Sequence, residues 1–113
     1  MHTELGEIPL EIRKEGRIVI NRKTSRYDIL VDLPARVSYS ISNSTSIEII
    51  ITKNREMITR KEGKLWRSGS GGVTLRFRLP RSYNHLLSDV KKIPVRIIIE
   101  RENIGVYADL RDK

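Results

Sequence analysis

Apolar and polar residues alternate along most of this chain, which is the period of a strand with one buried face. Ile8, Leu10 and Ile12 alternate with polar residues, residues 14–16 read as a glycine turn, and Ile18 and Ile20 resume the pattern, so a hairpin is predicted. Residues 21–26 (NRKTSR) contain no apolar side chain and read as an exposed loop. Tyr27, Ile29, Val31 and Leu33 then face one way along a strand that ends at Pro34. Proline suits a first helical turn, but Val37, Ser38, Ser40, Ile41 and Ser42 are weak helix formers, so only one or two turns are expected. Residues 43–46 turn the chain, residues 47–52 are a nearly continuous β-branched strand, and residues 53–56 turn again. Met57 and Ile58 open a strand that runs toward a second turn at residues 60–63, and Leu65 and Trp66 sit in a short strand. After the loop at residues 67–72 (RSGSGG), Val73, Leu75, Phe77 and Leu79 alternate with Thr74, Arg76 and Arg78, which predicts one apolar and one basic face. Tyr83, Leu86, Leu87 and Val90 mark a helix after Pro80, ended by residues 91–94. Residues 95–100 form a second isoleucine strand, and Ile104, Val106 and Tyr107 lie in a last one.

Much of this pattern occurs twice. Leu79 and Pro80 repeat Leu33 and Pro34 at an offset of 46, residues 60–63 repeat the RKEG of residues 13–16 at 47, and residues 95–99 match residues 47–51 at 48. Three landmarks in one order with so little drift indicate one unit used twice, about residues 13–59 and 60–113, after an unrepeated segment 1–12. A half of about 50 residues is near the lower limit for burying its own core. A single domain with one shared core is therefore expected from the 113 residues.

Composition narrows the function classes. No apolar run approaches the roughly 20 residues of a membrane-spanning helix, and residues 1–10 lack the basic-then-apolar opening of a signal peptide. The absence of cysteine excludes disulfides and thiolate zinc sites and fits a cytoplasmic protein. Richness in Ile, Arg, Lys and Glu is compatible with a thermophilic source. The net charge of +8 points to an anionic partner, and it is uneven: −3 over residues 1–12, +4 over 13–59 and +7 over 60–113. A merely solvated arginine-rich surface is the plain alternative. No enzyme or cofactor signature emerges. His2 lies near the terminus and His85 on the polar side of the second predicted helix, and the glycine loop lacks the Lys-Ser/Thr ending of a P-loop.

The order of strand, basic loop, strand, Leu-Pro, short helix, strand, turn and strand resembles the AbrB and MazE type of swapped-hairpin domain. Residues 64–87, KLWRSGSGGVTLRFRLPRSYNHLL, are similar to the variant found in archaeal phosphate-uptake-regulator-like proteins, with a basic residue, serines, glycines, an alternating strand, Leu-Pro and an aromatic helix. The resemblance covers nearly the whole chain in two copies. It implies a mainly β fold with two short helices, an intramolecular swapped-hairpin pseudo-dimer around one β-barrel-like core, with further homodimerisation left open.

It also implies double-stranded DNA as the partner and a nucleoid-associated role in transcription regulation. The positions that match the family's DNA-binding loop are Arg22, Lys23 and Arg26 in copy one and Lys64, Arg67, Ser68 and Ser70 in copy two, with Arg76, Arg78 and Arg81 as a second basic row. Arginine holds phosphate or guanine with parallel N–H donors, and serines between glycines let backbone N–H groups approach a phosphate. The row's counterparts in copy one are Leu30, Asp32 and Ala35, so copy two is the expected reader. Alternatively, Asp32 pairs with Arg76 or Arg78 and makes the row structural. Trp66 and Tyr83 are suited to stacking on a base, although core packing is the expected use for them and for Tyr27 and Tyr107. The competing function is a protein-interaction module, antitoxin-like or a virus-encoded inhibitor, with residues 1–12 as a partner surface or as a lid over the basic loops.

Overall fold

The computed structural model describes residues 10–38, 41–42, 44–67, 71–100 and 102–110. Residues 14–16 make no turn. The chain runs through them as one twelve-residue strand, β1 (Leu10–Asn21). A tight hairpin turn requires positive φ, and Gly71 alone of the described glycines adopts it, at +92°. Gly16 stays extended opposite Ile93. The repeated RKEG behaves the same way: β4 (Glu56–Glu62) runs through it, and Gly63 alone separates β4 from β5 (Lys64–Arg67).

The remaining elements are β2 (Arg26–Leu33), α1 (Ala35–Ser38), β3 (Ser46–Lys53), β6 (Val73–Arg78), a 3-10 turn (Arg81–Tyr83), α2 (Asn84–Leu87), β7 (Lys92–Ile99) and β8 (Asn103–Leu110). The fold is mainly β with two short helices, as the sequence predicts. The helix after Pro80 is shorter than the spacing to Val90 suggests, and residues 92–94 begin β7 rather than ending a helix. The eight strands form one sheet in the order β4-β3-β8-β7-β1-β2-β6-β5, curled into a half-barrel.

Strand exchange relates the repeats. The first part of β1 pairs antiparallel with β7 of the second repeat, and from Arg17 the strand changes partner to β2 of its own repeat. Likewise β4, which straddles the boundary between the repeats at residues 59 and 60, pairs with β3 of the first repeat, and beyond Gly63 β5 pairs with β6. Gly16 and Gly63 therefore occupy equivalent joints where a strand passes from one neighbour to the other. The register also corrects the third sequence offset. Lys14 faces Val95 and Lys61 faces Ile49, so β3 and β7 correspond at 46, not 48. In the middle, β2 pairs with β6 antiparallel, with Leu30 opposite its own counterpart Arg76. The pseudo-two-fold axis passes through that pair. β8 has no counterpart and wedges between β3, to which it is parallel, and β7.

Both repeats feed one core. Ile29, Val31, Ile49, Leu75, Phe77, Ile93, Ile97 and Val106 are fully buried in a single cluster. At each Leu-Pro, the chain closes an equivalent turn, Val37 N–H to the Pro34 carbonyl at 3.0 Å and Tyr83 N–H to the Pro80 carbonyl at 3.1 Å. These turns drop Val37 and Leu87 onto the core. The β3–β4 hairpin turns on Asn54 and Arg55, both at positive φ (54° and 68°), a type I′ geometry that favours Gly at its second position. Removing the Cβ penalty outweighs the entropy of glycine here. Arg55→Gly is expected to raise stability by roughly 0.5 kcal/mol, measurable by urea denaturation.

Candidate nucleic-acid interface

In antiparallel pairs, residues directly opposite each other share a face. On the face away from Ile29, Val31, Leu75 and Phe77, the register sets Arg17, Leu30, Arg76 and Lys64 in one row across β1, β2, β6 and β5. Asp28 and Arg78 form the next row on one side, Asp32, Thr74 and Trp66 on the other. Beside this face lies a depression of about 220 Å³ lined by Arg26, Lys61, Glu62, Lys64, Arg76 and Arg78. Five cations from both repeats thus surround one hollow, with Glu62 the one acid in its lining.

The acid pairings differ from the alternative raised by the sequence. Asp32 accepts from Arg17 at 3.1 Å and from Thr74 Oγ1 at 2.8 Å, and its backbone carbonyl accepts from the Lys14 ammonium. Neither Arg76 nor Arg78 is its partner. Arg78 Nε instead donates to Asp28 Oδ1 at 3.2 Å, and Asp28 is 5% exposed, the one buried charged side chain among the described residues. Asp28–Arg78 and Thr74–Asp32 are equivalent cross-strand pairs under the pseudo-two-fold. Arg78→Leu would leave a buried carboxylate without its cation and is expected to cost about 1–3 kcal/mol, while Arg78→Leu with Asp28→Asn recovers part of it, both read from urea midpoints.

Arg76 has another use. Its guanidinium lies 4.2 Å from the ring centre of Trp66. Contrary to the core packing expected for it, Trp66 is 48% exposed. It lies opposite Thr74 on the outer face, while Leu65 faces Leu75 and the core. Tyr107 is likewise on the surface, 37% exposed under Arg96. Tyr27 does pack on the core, and Tyr83 lines a small apolar gap with Leu79, Leu86 and Leu87.

The two loops lie at opposite ends of the β2–β6 pair. In the first, the Asn21 side chain accepts from the Lys23 and Thr24 N–H groups at 3.0 and 3.4 Å, and Ser25 adopts φ 58°. This presents Arg22 and Lys23 as exposed side chains next to Arg26. Arg81 Nε and Asn84 Nδ2 of the second repeat fasten the loop by donating to the Thr24 and Ser25 carbonyls, each at 2.7 Å. Arg81 is therefore a loop clamp rather than a member of the row. In the second, Arg67 shares the core-side face of Val73, and its guanidinium donates to the Ile41 carbonyl of the first repeat. Gly71 approaches Ala35, the counterpart of Arg81. Ser68 and Ser70 lie outside the described residues.

The structure therefore gathers Arg26, Lys64, Arg76 and Arg78, puts Arg22 and Lys23 at an adjoining loop tip, and turns Arg67 and Arg81 toward loop anchoring. Lys61 and Arg17 join from positions read in sequence as a turn and a hairpin. The absence of any Pro, Asn, Asp or Gly between Met57 and Gly63 is the signal that would have allowed the strand opened by Met57 and Ile58 to run on through Lys61. Arg60 is committed elsewhere. Its hydrogen bond to Glu48 at 2.6 Å and that carboxylate's charge hold its pKa above the ordinary arginine value. Among the described residues no three His, Cys, Asp or Glu side chains gather as a metal site, and no helix is long and apolar enough to cross a membrane. No family model, curated protein sequence or solved structure matches the chain.

Proposed function

We propose that this chain is a small DNA-binding protein, a transcription regulator or nucleoid-associated factor of the swapped-hairpin type, that holds duplex DNA on its basic outer face. The observation that carries the reading is the convergence of Arg26, Lys61, Lys64, Arg76 and Arg78 from both repeats around one hollow. Such a concentration of cations answers a phosphate backbone. The exchange of strands between repeats is also what the resemblance implies.

Titration of a fluorescent duplex with the full chain against salt tests the proposal. Five neutralised phosphates give a slope of log K on log salt near −4.5. A flat dependence, or no binding at low salt, would reject it and bring the protein-interaction reading forward.

A further inference from the structure

We infer that the same face accepts an unpaired base on Trp66, so that its preferred ligand is DNA carrying a short single-stranded stretch beside a duplex. The inference rests on the DNA-binding reading above and adds the class of DNA. Trp66 is the one tryptophan of the chain, and 48% of its surface faces solvent on β5 instead of the core. A large ring in that position gives up the burial that usually retains tryptophan. Its counterpart in the first repeat, Val19, has no ring, so the aromatic surface belongs to the basic repeat alone.

The ring does not lie loose on the surface. The Arg76 guanidinium stacks on it at 4.2 Å, and Arg76 is held in turn opposite Lys64 on the neighbouring strand. Ring and guanidinium make a preformed flat pair, to which a third flat group adds with little ordering cost. Lys64 and Arg76, one row along the sheet from Trp66, also line the hollow, whose other cations are Arg26, Lys61 and Arg78. A base on Trp66 would have its flanking phosphates within reach of these cations. An aromatic platform beside a basic groove is the arrangement that single-stranded nucleic acid requires. A paired base within a duplex is covered on both faces by its neighbours and cannot reach the ring. Away from the duplex ends, only an unpaired or extruded base makes the contact.

The test compares three ligands on the full chain: a blunt duplex of about 16 base pairs, the same duplex with a tail of about five thymidines, and an oligothymidylate of similar length. Anisotropy gives affinity, and the emission of Trp66, the sole tryptophan, reports stacking without any mutation. The tailed duplex is expected to bind about tenfold or more tightly than the blunt one and to quench Trp66. Trp66→Ala should close the gap between those two ligands, and Trp66→Phe should restore part of it. Equal affinities with unquenched Trp66 would overturn the inference and leave duplex binding standing. A tailed-duplex preference that survives Trp66→Ala would also overturn it. Failure of all three ligands to bind would reject the DNA-binding reading itself.

Discussion

Gly63→Ala is expected to lower the stability of the protein by about 2–3 kcal/mol, while Gly16→Ala at the equivalent joint costs less than about 1 kcal/mol. An alanine normally gains on glycine inside a strand, so the sign of the first result must come from space. A Cβ at Gly63 would overlap the ring of Phe77 and come within 3.0 Å of the Arg76 carbonyl oxygen. Phe77 is fully buried and has nowhere to move. Relief by backbone shift is also opposed, because Gly63 N–H donates to the Ile47 carbonyl at 2.9 Å while Lys64 next to it already pairs with Arg76. The joint is held from both edges of the sheet. At Gly16 the nearest atoms lie 3.4 Å from the added carbon, among them a methyl of Val31, the counterpart of Phe77. The clash at Gly63 thus follows from the larger ring in the second repeat. Replacing Phe77 with the valine of the first repeat should make Gly63→Ala tolerable, with a coupling of at least about 1 kcal/mol in the double-mutant cycle. Thermal midpoints check this, since about 2–3 kcal/mol corresponds to roughly 10 °C for a domain of this size. Additive penalties would refute the steric account.

The sequence made one half of this joint visible and hid the other. Its repeat of RKEG at residues 13–16 and 60–63 marked two equivalent places, yet a glycine after charged residues reads as a turn. What each place does depends on the strand lying alongside, which local pattern does not record. The misplaced offset has a similar cause. Ile47, Ile49 and Ile51 match Val95, Ile97 and Ile99 as well as they match Ile93, Val95 and Ile97, and a shift of two keeps every inward residue inward. Only the pairing of Lys14 with Val95 and Lys61 with Ile49 distinguishes them. Strands with a clear alternation, such as Tyr27 to Leu33 and Val73 to Leu79, were legible because burial of one face dictates both their type and their orientation. Arg76 and Arg78 were accordingly legible as outward residues. Their different uses were not. Asp28 meets Arg78 only because β2 and β6 lie antiparallel about Leu30 and Arg76, and Trp66 faces outward because the passage through Gly63 commits Leu65 to the core.

Those separate uses decide how the proposed interface is to be dissected. Lys64→Ala with Arg76→Ala is expected to weaken duplex binding roughly 60-fold at about 0.1 M salt and to make the slope shallower by about 1.8, as two lost phosphate contacts require. In the intact protein, raising salt from about 50 to 200 mM should cost roughly 500-fold for five contacts. Arg78 is the wrong residue for this test, since its removal strands Asp28 at 3.2 Å and confounds binding with folding. Arg67→Ala should leave the slope nearly unchanged. Its guanidinium is turned to the Ile41 carbonyl on the core-side face, so the change loosens the attachment of one repeat to the other instead of removing a phosphate contact. Arg22→Ala with Lys23→Ala separates loop from face. Both side chains stand at a loop held by Arg81 and Asn84 at 2.7 Å, next to Arg26, and removing them leaves the hollow intact. If their loss flattens the slope as much as the loss of Lys64 and Arg76, the loop tip shares the duplex with the hollow. If it flattens the slope while the Lys64 and Arg76 changes do not, the outer row is a solvated arginine surface and the phosphate seat lies on the loops.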